Sequence, residues 1–325
     1  MKSTWPGYSS CMADKITAFL AYKRALAKKY HTEESVFRLF DRYLFNNGIS
    51  HLDEITPVSI DEFLTSRARK SPRSYNHLLG VIRCFFSWVV GQDLLCSSPV
   101  KAHPRRTITK RRPFLFCPLE AKKLLALTDK LPDNPHAPLR GATYFMIFAL
   151  LYGLGLRVGE VSRLCGKDLD FKRRLLVIRE TKFKKSRLVP FGPLMAGRLK
   201  SYLNLRGEPE PNAPVFSFNK GKPVHPGTIS QTFHHLLPLL NLNMPPGTHP
   251  PRLHDLRHAF ATGTLLRWYR AGIDPASRLI HLSTFLGHVS PTSTAVYLTI
   301  THDLLEQANE RFEHLGTAAM KGVNV

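Results

Sequence analysis

Two arginines, two histidines and a tyrosine occur in an order that suits chemistry on a phosphodiester. Arg157 lies in Gly155-Leu156-Arg157-Val158-Gly159-Glu160, His254 and Arg257 in His254-Asp255-Leu256-Arg257-His258, His288 follows Leu286-Gly287, and Tyr297 comes nine residues later. Remaking a phosphodiester requires a nucleophile, positive charge for the non-bridging oxygens and a proton for the leaving oxygen. Arginine suits the second task, because its planar fork holds two oxygens and stays protonated at any useful pH. A phenol with its free pKa near ~10 is a weak nucleophile, so Tyr297 needs a base or strong positive potential beside it. Each residue also has a bland role. Arg157 could pair structurally with Glu160, His254 and Arg257 could be a chance pair, His288 could pack at a helix junction, and Tyr297 could be a core ring with its hydroxyl bonded.

Helical spacing brings some of these side chains together. His254 and Arg257 are three residues apart in a run, Leu253 to Ala271, that reads as helix, so they share a face. Arg157 follows the apolar run Ala142 to Leu156, which reads as a buried helix and delivers the guanidinium to the edge of a core. Gly287 is suited to end one helix and Ser290-Pro291-Thr292 to start the next, with His288 at the junction and Tyr297 about two turns further on.

Other elements frame this region. Leu175 to Arg179 and Ser186 to Phe191 are β-leaning runs around Glu180-Thr181-Lys182-Phe183-Lys184-Lys185, as in a hairpin with a basic tip, and Val215 to Phe218 is a candidate third strand. The first hundred residues read as about four helices. These are Ala13 to Lys29, a segment capped near Thr32 with Val36, Phe37, Phe40, Tyr43 and Leu44 on one face, Ser59 to Ala68, and one opened by Ser71-Pro72 and closed at Gly91. Near the start of the last, Arg73, Asn76 and His77 are either a solvated surface or groove-reading side chains. Ser97 to Pro113 combines Pro99, Pro104 and Pro113 with Lys101, Arg105, Arg106, Lys110, Arg111 and Arg112, and reads as an extended basic strap. A last helix, Thr301 to His314, starts an apolar stripe of Leu304, Leu305, Ala308, Phe312 and Leu315, suited to its own domain or to a second protomer.

Composition narrows the partner. Lysine and arginine number 46 against 24 acidic residues, a formal charge of +22 on 325 residues, while the apolar fraction of 43% is that of a folded chain. A polyanion follows, and charge alone leaves DNA, RNA and an anionic membrane open. The apolar run Ala142 to Leu156 falls short of the ~20 residues that span a bilayer. No aromatic RNP-like motif points to RNA. The N-terminus has no apolar signal region, so a cytosolic location is expected. Cys11, Cys84, Cys96, Cys117 and Cys165 make neither a CxxC pair nor a disulfide pattern and read mostly as small buried residues.

In this order and spacing the motifs resemble those of the tyrosine recombinases, the phage integrase family. The match runs from about Pro118 to the C-terminus and fills six signature positions: Arg157, Lys182, His254, Arg257, His288 and Tyr297. Lys182 is aligned through the family's hairpin lysine before a segment like Ser186-Arg187-Leu188-Val189-Pro190, and Lys184 and Lys185 are close alternatives. Leu154 stands where a small hydroxyl residue is frequent, and Ala259 where Thr or Ser is. The implied fold is mainly α with a small antiparallel β-sheet: a helical core-binding domain over 1–103, a basic linker over 104–115 and an α+β catalytic domain over 116–325.

The resemblance implies a site-specific recombinase or integrase acting on double-stranded DNA in integration, excision or transposition. Tyr297 would attack the scissile phosphate, release a 5′-hydroxyl and leave a 3′-phosphotyrosine. Arg157 and Arg257 would grip the phosphate oxygens, Lys182 would protonate the leaving oxygen, His254 would be the acid/base partner of the tyrosine, and His288 would hydrogen-bond the phosphate. Glu160 and Asp255 would be structural, and the transesterification would need no metal or nucleotide cofactor. It also implies a homo- or hetero-tetramer on DNA, alone or with partner recombinases, no membrane, and a cytoplasmic, nucleoid-associated location. A catalytically silent DNA-binding regulator and a type IB topoisomerase-like enzyme are the alternative classes.

Overall fold

The computed structural model describes residues 7–66, 71–106, 113–179, 186–218, 221–288 and 290–299. The chain divides into two units, Met1–Lys110 and Arg111–Val325. In the first, helices α1 (Ala13–Ala25), α2 (His31–Asn46), α3 (Pro57–Thr65) and α4 (Pro72–Val90) enclose an aromatic core. Phe37, Phe40 and Leu44 recur at helical spacing on α2, and Leu78, Ile82, Phe85 and Val89 on α4, so each helix buries one stripe. Phe19 of α1 meets Phe37 and Phe85 edge-on, with centroids 5.6 and 5.3 Å apart, the arrangement that ring quadrupoles favour.

Local signals set most of these helix ends. α4 starts with Pro72 after an extended Ser71, where the missing N–H is one the helix could not use anyway. α2 departs from expectation: it begins at His31, and Thr32 lies inside its first turn. Tyr30 takes a left-handed φ of 51° there, and its ring packs on Phe19 at 5.9 Å, so a tertiary contact rather than a side-chain cap fixes the start. The expected strap is tied to α4 over its first residues. Asn76 donates to Arg105 O at 2.8 Å and accepts from Arg105 N at 2.7 Å, and Arg83 bonds Ala102 O.

The second unit is built around α6 (Arg140–Gly153), which buries Tyr144, Met146, Ile147, Phe148, Leu150 and Leu151, as its apolar composition required. α5 (Pro118–Thr128), α8 (Pro193–Arg206) and α9 (Pro226–Leu236) contribute to the same core. Strands β1 (Leu169–Asp170), β2 (Leu175–Ile178) and β3 (Arg187–Pro190) form an antiparallel sheet in that order, with Leu176 opposite Val189 and Ile178 opposite Arg187. The expected hairpin is present, but the third strand is β1, not Val215 to Phe218. Val215 and Phe216 are both fully buried, and such consecutive burial fills a core where a one-sided strand would alternate. α7 (Val158–Ser162), α10 (Asp255–Arg270), α11 (Pro275–Leu286) and α12 (Thr292–Ala295), with a 3₁₀ turn Val296–Thr299, complete the described chain. Lys182, Lys184, Lys185 and the stripe from Leu304 to Leu315 lie outside the described residues.

None of the five cysteines is buried: Cys96 and Cys117 are exposed and the others half-buried. For Cys117 the reason is its place as the N-cap of α5, where its Sγ accepts from Glu120 N at 3.5 Å. No helix among the described residues is long and apolar enough to cross a membrane.

Candidate active site

The end of α6 starts the site. Gly155 turns the chain with φ +60°, and a Cβ there would lie 2.5 Å from Phe260 Cδ1, so the turn accepts only glycine without displacement. Arg157 then becomes the N-cap of α7. Its Nη1 donates to Glu160 Oε1 at 2.7 Å and its Nη2 to Gly287 O at 2.9 Å, which ties α7 to the end of α11.

Glu160 is 4% exposed and organises the cations. Besides Arg157, it receives Arg187 Nη1 and Nη2, each at 2.9 Å, in a two-pronged pair, while Arg187 Nε bonds Phe285 O at 2.8 Å. Burial pushes the Glu160 carboxyl up, but the hydrogen bonds and charge of Arg187 and then of Arg157 outweigh it and leave the pKa at about 2. The charge of a single carboxylate is thus shared by two guanidiniums.

Arg257 is the third guanidinium and is 1% exposed. It is held by carbonyls, with Nη1 on Gly155 O and Nη2 on Leu286 O, both at 2.6 Å, and its Nε meets no acceptor among the described residues. Burial, then the charge of Arg157, lowers its pKa to about 10, so it remains charged at neutral pH. Arg157, Arg187 and Arg257 against Glu160 leave an excess of positive charge, which suits an anion.

Tyr297, on the 3₁₀ turn, is 3% exposed and packs with Ala261, Leu265, Leu282 and Leu286. Burial pushes its phenol above the ordinary value, and Arg257 and Arg157 pull against that rise. Its hydroxyl lies 3.0 Å from His258 Nδ1. The His288 ring stacks on Tyr297 with centroids 6.2 Å apart, and His288 Nδ1 bonds Thr294 Oγ1 at 2.7 Å. His254, the N-cap of α10, is exposed and lies edge-on to His258 at 4.7 Å.

The surroundings push all three imidazoles below the ordinary histidine value, which favours their neutral form. Partial desolvation, then the charges of His258, Arg257, Arg157 and Arg252, lower His254. Burial, then Arg257, Arg157 and Arg187, hold His288 at about 4, and burial also lowers His258. The positive potential therefore comes from the guanidiniums, and the histidines are available as hydrogen-bonding groups and proton acceptors.

Five of the expected site residues, Arg157, His254, Arg257, His288 and Tyr297, thus converge, and the sixth, Lys182, lies outside the described residues. Two residues were not singled out from the sequence. His258 follows Arg257 and lies four residues after His254, a spacing that places it on the helix face of His254. Arg187 shares the inward side of β3 with Val189, a period-two signal that was available. Among the described residues no group of three or more His, Cys, Asp or Glu is arranged to hold a metal. A cavity of about 560 Å³ lies elsewhere, lined by His136, Arg140, Lys222, His225 and His235.

The family model for the phage integrase family matches residues 118–303. The chain belongs to that family, the tyrosine recombinases, enzymes that cleave and rejoin DNA strands through a tyrosine. It is 33% identical over 309 residues to y4rB of Sinorhizobium fredii, named as an integrase/recombinase, covering 94% of this chain and 98% of that protein. It is 28% identical to the tyrosine recombinase XerA of Pyrococcus horikoshii, covering 94% of this chain and 95% of that one. Its fold is similar to that of the Tn1549 transposon integrase in complex with a circular-intermediate DNA, with a TM-score of 0.65 at 18% identity over 95% of this chain and 100% of that chain.

Proposed function

We propose that the protein is a DNA integrase or recombinase of a mobile element, in which Tyr297 attacks the scissile phosphate and holds one strand as a 3′-phosphotyrosine until a 5′-hydroxyl reseals it. The observation that carries this reading is a buried tyrosine hydroxyl bonded to a neutral imidazole beside positively charged guanidiniums. Arg257, whose Nε meets no acceptor among the described residues, and Arg157 neutralise the non-bridging oxygens, where preorganised charge contributes most to such reactions. His254 and His288 offer hydrogen bonds to the phosphate. Lys182, assigned by family resemblance, protonates the departing 5′-oxygen, with Lys184 and Lys185 as alternatives.

The two units, expected as domains over 1–103 and 116–325 with a basic linker over 104–115, bind duplex DNA together, their lysines and arginines contacting its backbone. The net charge of +22 supports this. The family resemblance implies assembly as a tetramer on DNA, the sequence stripe from Leu304 to Leu315 supports it, and the place of action is the DNA-containing cytoplasm.

Covalent trapping tests the reading. Nicked suicide duplexes from the DNA flanking the gene are incubated with the protein, which is then denatured and examined for a labelled adduct. An adduct with the native protein that is lost in Tyr297→Phe is expected. Sequence-selective binding with no adduct would contradict the reading and favour a silent regulator.

A further inference from the structure

We infer that His258, oriented by Asp255, is the group that takes the proton from Tyr297 when its oxygen attacks phosphorus. The inference deepens the strand-transfer reading and rests on it. Tyr297 Oη is 3.0 Å from His258 Nδ1, and His258 Nε2 faces Asp255 Oδ1 at 3.9 Å. Asp255 is fully buried, and its carboxylate is fixed by Arg252 N at 2.8 Å and Arg252 Nη2 at 3.3 Å. A buried carboxylate on the Nε2 side favours the tautomer with Nε2 protonated. Nδ1 then carries the lone pair and accepts from the phenol. The nucleophile is thus within hydrogen-bond reach of the base, and the carboxylate lies close to the base's other nitrogen without bonding it, so it acts on the ring through charge.

His254, which its place in the family motif offers as the partner of the tyrosine, has a different position. Its ring lies edge-on to His258, and it is His258 that bonds the hydroxyl. The groups facing His258 are Arg252, His254, Asp255 and Arg257 from α10 and the residues just before it, and Tyr297 and His288 from the C-terminal segment. Burial, Arg252 and Arg257 favour the neutral ring, against the pull of Asp255, so the base is in its working form at neutral pH.

The step balances. As the Tyr297 O–P bond forms, its proton moves to His258 Nδ1, the bond from phosphorus to the 5′-oxygen breaks, and that oxygen takes a proton from the Lys182 ammonium. On resealing, the incoming 5′-hydroxyl gives its proton back to lysine, and the His258 imidazolium returns its own to the departing phenolate. Asp255 is a positioning residue, since it acts through His258.

His258→Asn separates accepting a hydrogen bond from accepting a proton, because its amide oxygen can receive the phenol O–H but is not a base. The full-length variant is compared with the native protein on the same nicked duplex, once with the natural 5′-oxygen and once with a 5′-bridging sulfur, a leaving group that needs no proton. Adduct formation is expected to slow by ~100-fold or more on both substrates, the range of general-base catalysis. The residual rate should rise with pH as tyrosinate forms without a base, and DNA affinity should be unchanged. Asp255→Asn should slow the reaction and move the acid limb of the native pH profile to lower pH, because losing the carboxylate makes His258 a weaker base. A native rate in His258→Asn would overturn the inference and leave strand transfer standing. Rescue by sulfur would also overturn it, by placing His258 on the leaving group. Unfolding of His258→Asn is checked by DNA affinity, and the Asp255→Asn profile then decides, with an unmoved acid limb against the inference. Absence of any adduct from the native protein would overturn the strand-transfer reading and this inference with it.

Discussion

Replacing Glu160 with glutamine removes one charge and keeps the shape of the side chain, so its cost measures how far a single carboxylate organises the cationic site. In the folded protein the carboxyl titrates at about 2, against an ordinary value of 4.5. At about 1.4 kcal/mol for each tenfold change, that gap amounts to about 3 kcal/mol of stability that requires the ionised form. A loss of ~3–5 kcal/mol on breaking a buried pair agrees, since Arg187, with a side chain 8% exposed, would keep its charge without its partner. Because the folded pKa is depressed, the contribution is full above the ordinary carboxylate range and is lost as pH falls toward about 2. The expected gap between native protein and Glu160→Gln is about 3 kcal/mol at pH ~7 and about 1 kcal/mol at pH ~3. Urea unfolding of the full chain, read by pulsed hydrogen exchange in peptides covering β2 and α10, isolates the second unit. A gap under ~1 kcal/mol at neutral pH, or one that is the same at both pH values, would mean that the Glu160 carboxylate does not hold the cationic site together.

Three further outcomes follow from the geometry. Gly155→Ala places a methyl 2.5 Å from Phe260 Cδ1 at φ +60°, and should destabilise the second unit by ~2–4 kcal/mol, seen as a lowered Tm; an unchanged Tm would contradict the tight turn. Arg257→Lys cannot bridge Gly155 O and Leu286 O while reaching a phosphate, so adduct formation should fall ~100-fold or more with a much smaller change in gel-shift affinity. Raising salt from ~50 to ~200 mM should weaken DNA binding by ~10³-fold or more, and a flat dependence would contradict a backbone-dominated interface.

Features set by a few neighbouring residues were legible in the sequence. Ser71-Pro72 marked the start of α4, the apolar run marked α6, and the turn-flanked β-leaning segments marked the hairpin. The spacing of His254 and Arg257 placed them on one face, and the order of motifs gave the chemistry. Contacts across long stretches of chain were not legible. Arg187 joins Glu160 across 27 residues, and Arg257 reaches Gly155 O across 102, so no local pattern specified these partners. The start of α2 depends on the packing of Tyr30 against Phe19, and Val215-Phe216 has the β-branched and aromatic residues of a strand but is a buried core step, while the third strand is the two-residue β1, too short for a sequence pattern. His258 was visible as part of the motif, but its role depends on where the 3₁₀ turn carries Tyr297.

If Tyr297 becomes joined to DNA, the bond between them can be located. The trapped adduct is digested with protease and nuclease, and the peptide carrying the nucleotide is sequenced by mass spectrometry. The expected product is the peptide containing Tyr297 joined to a nucleotide through its 3′-phosphate. Attachment through a 5′-phosphate, or to any other side chain, would contradict the account.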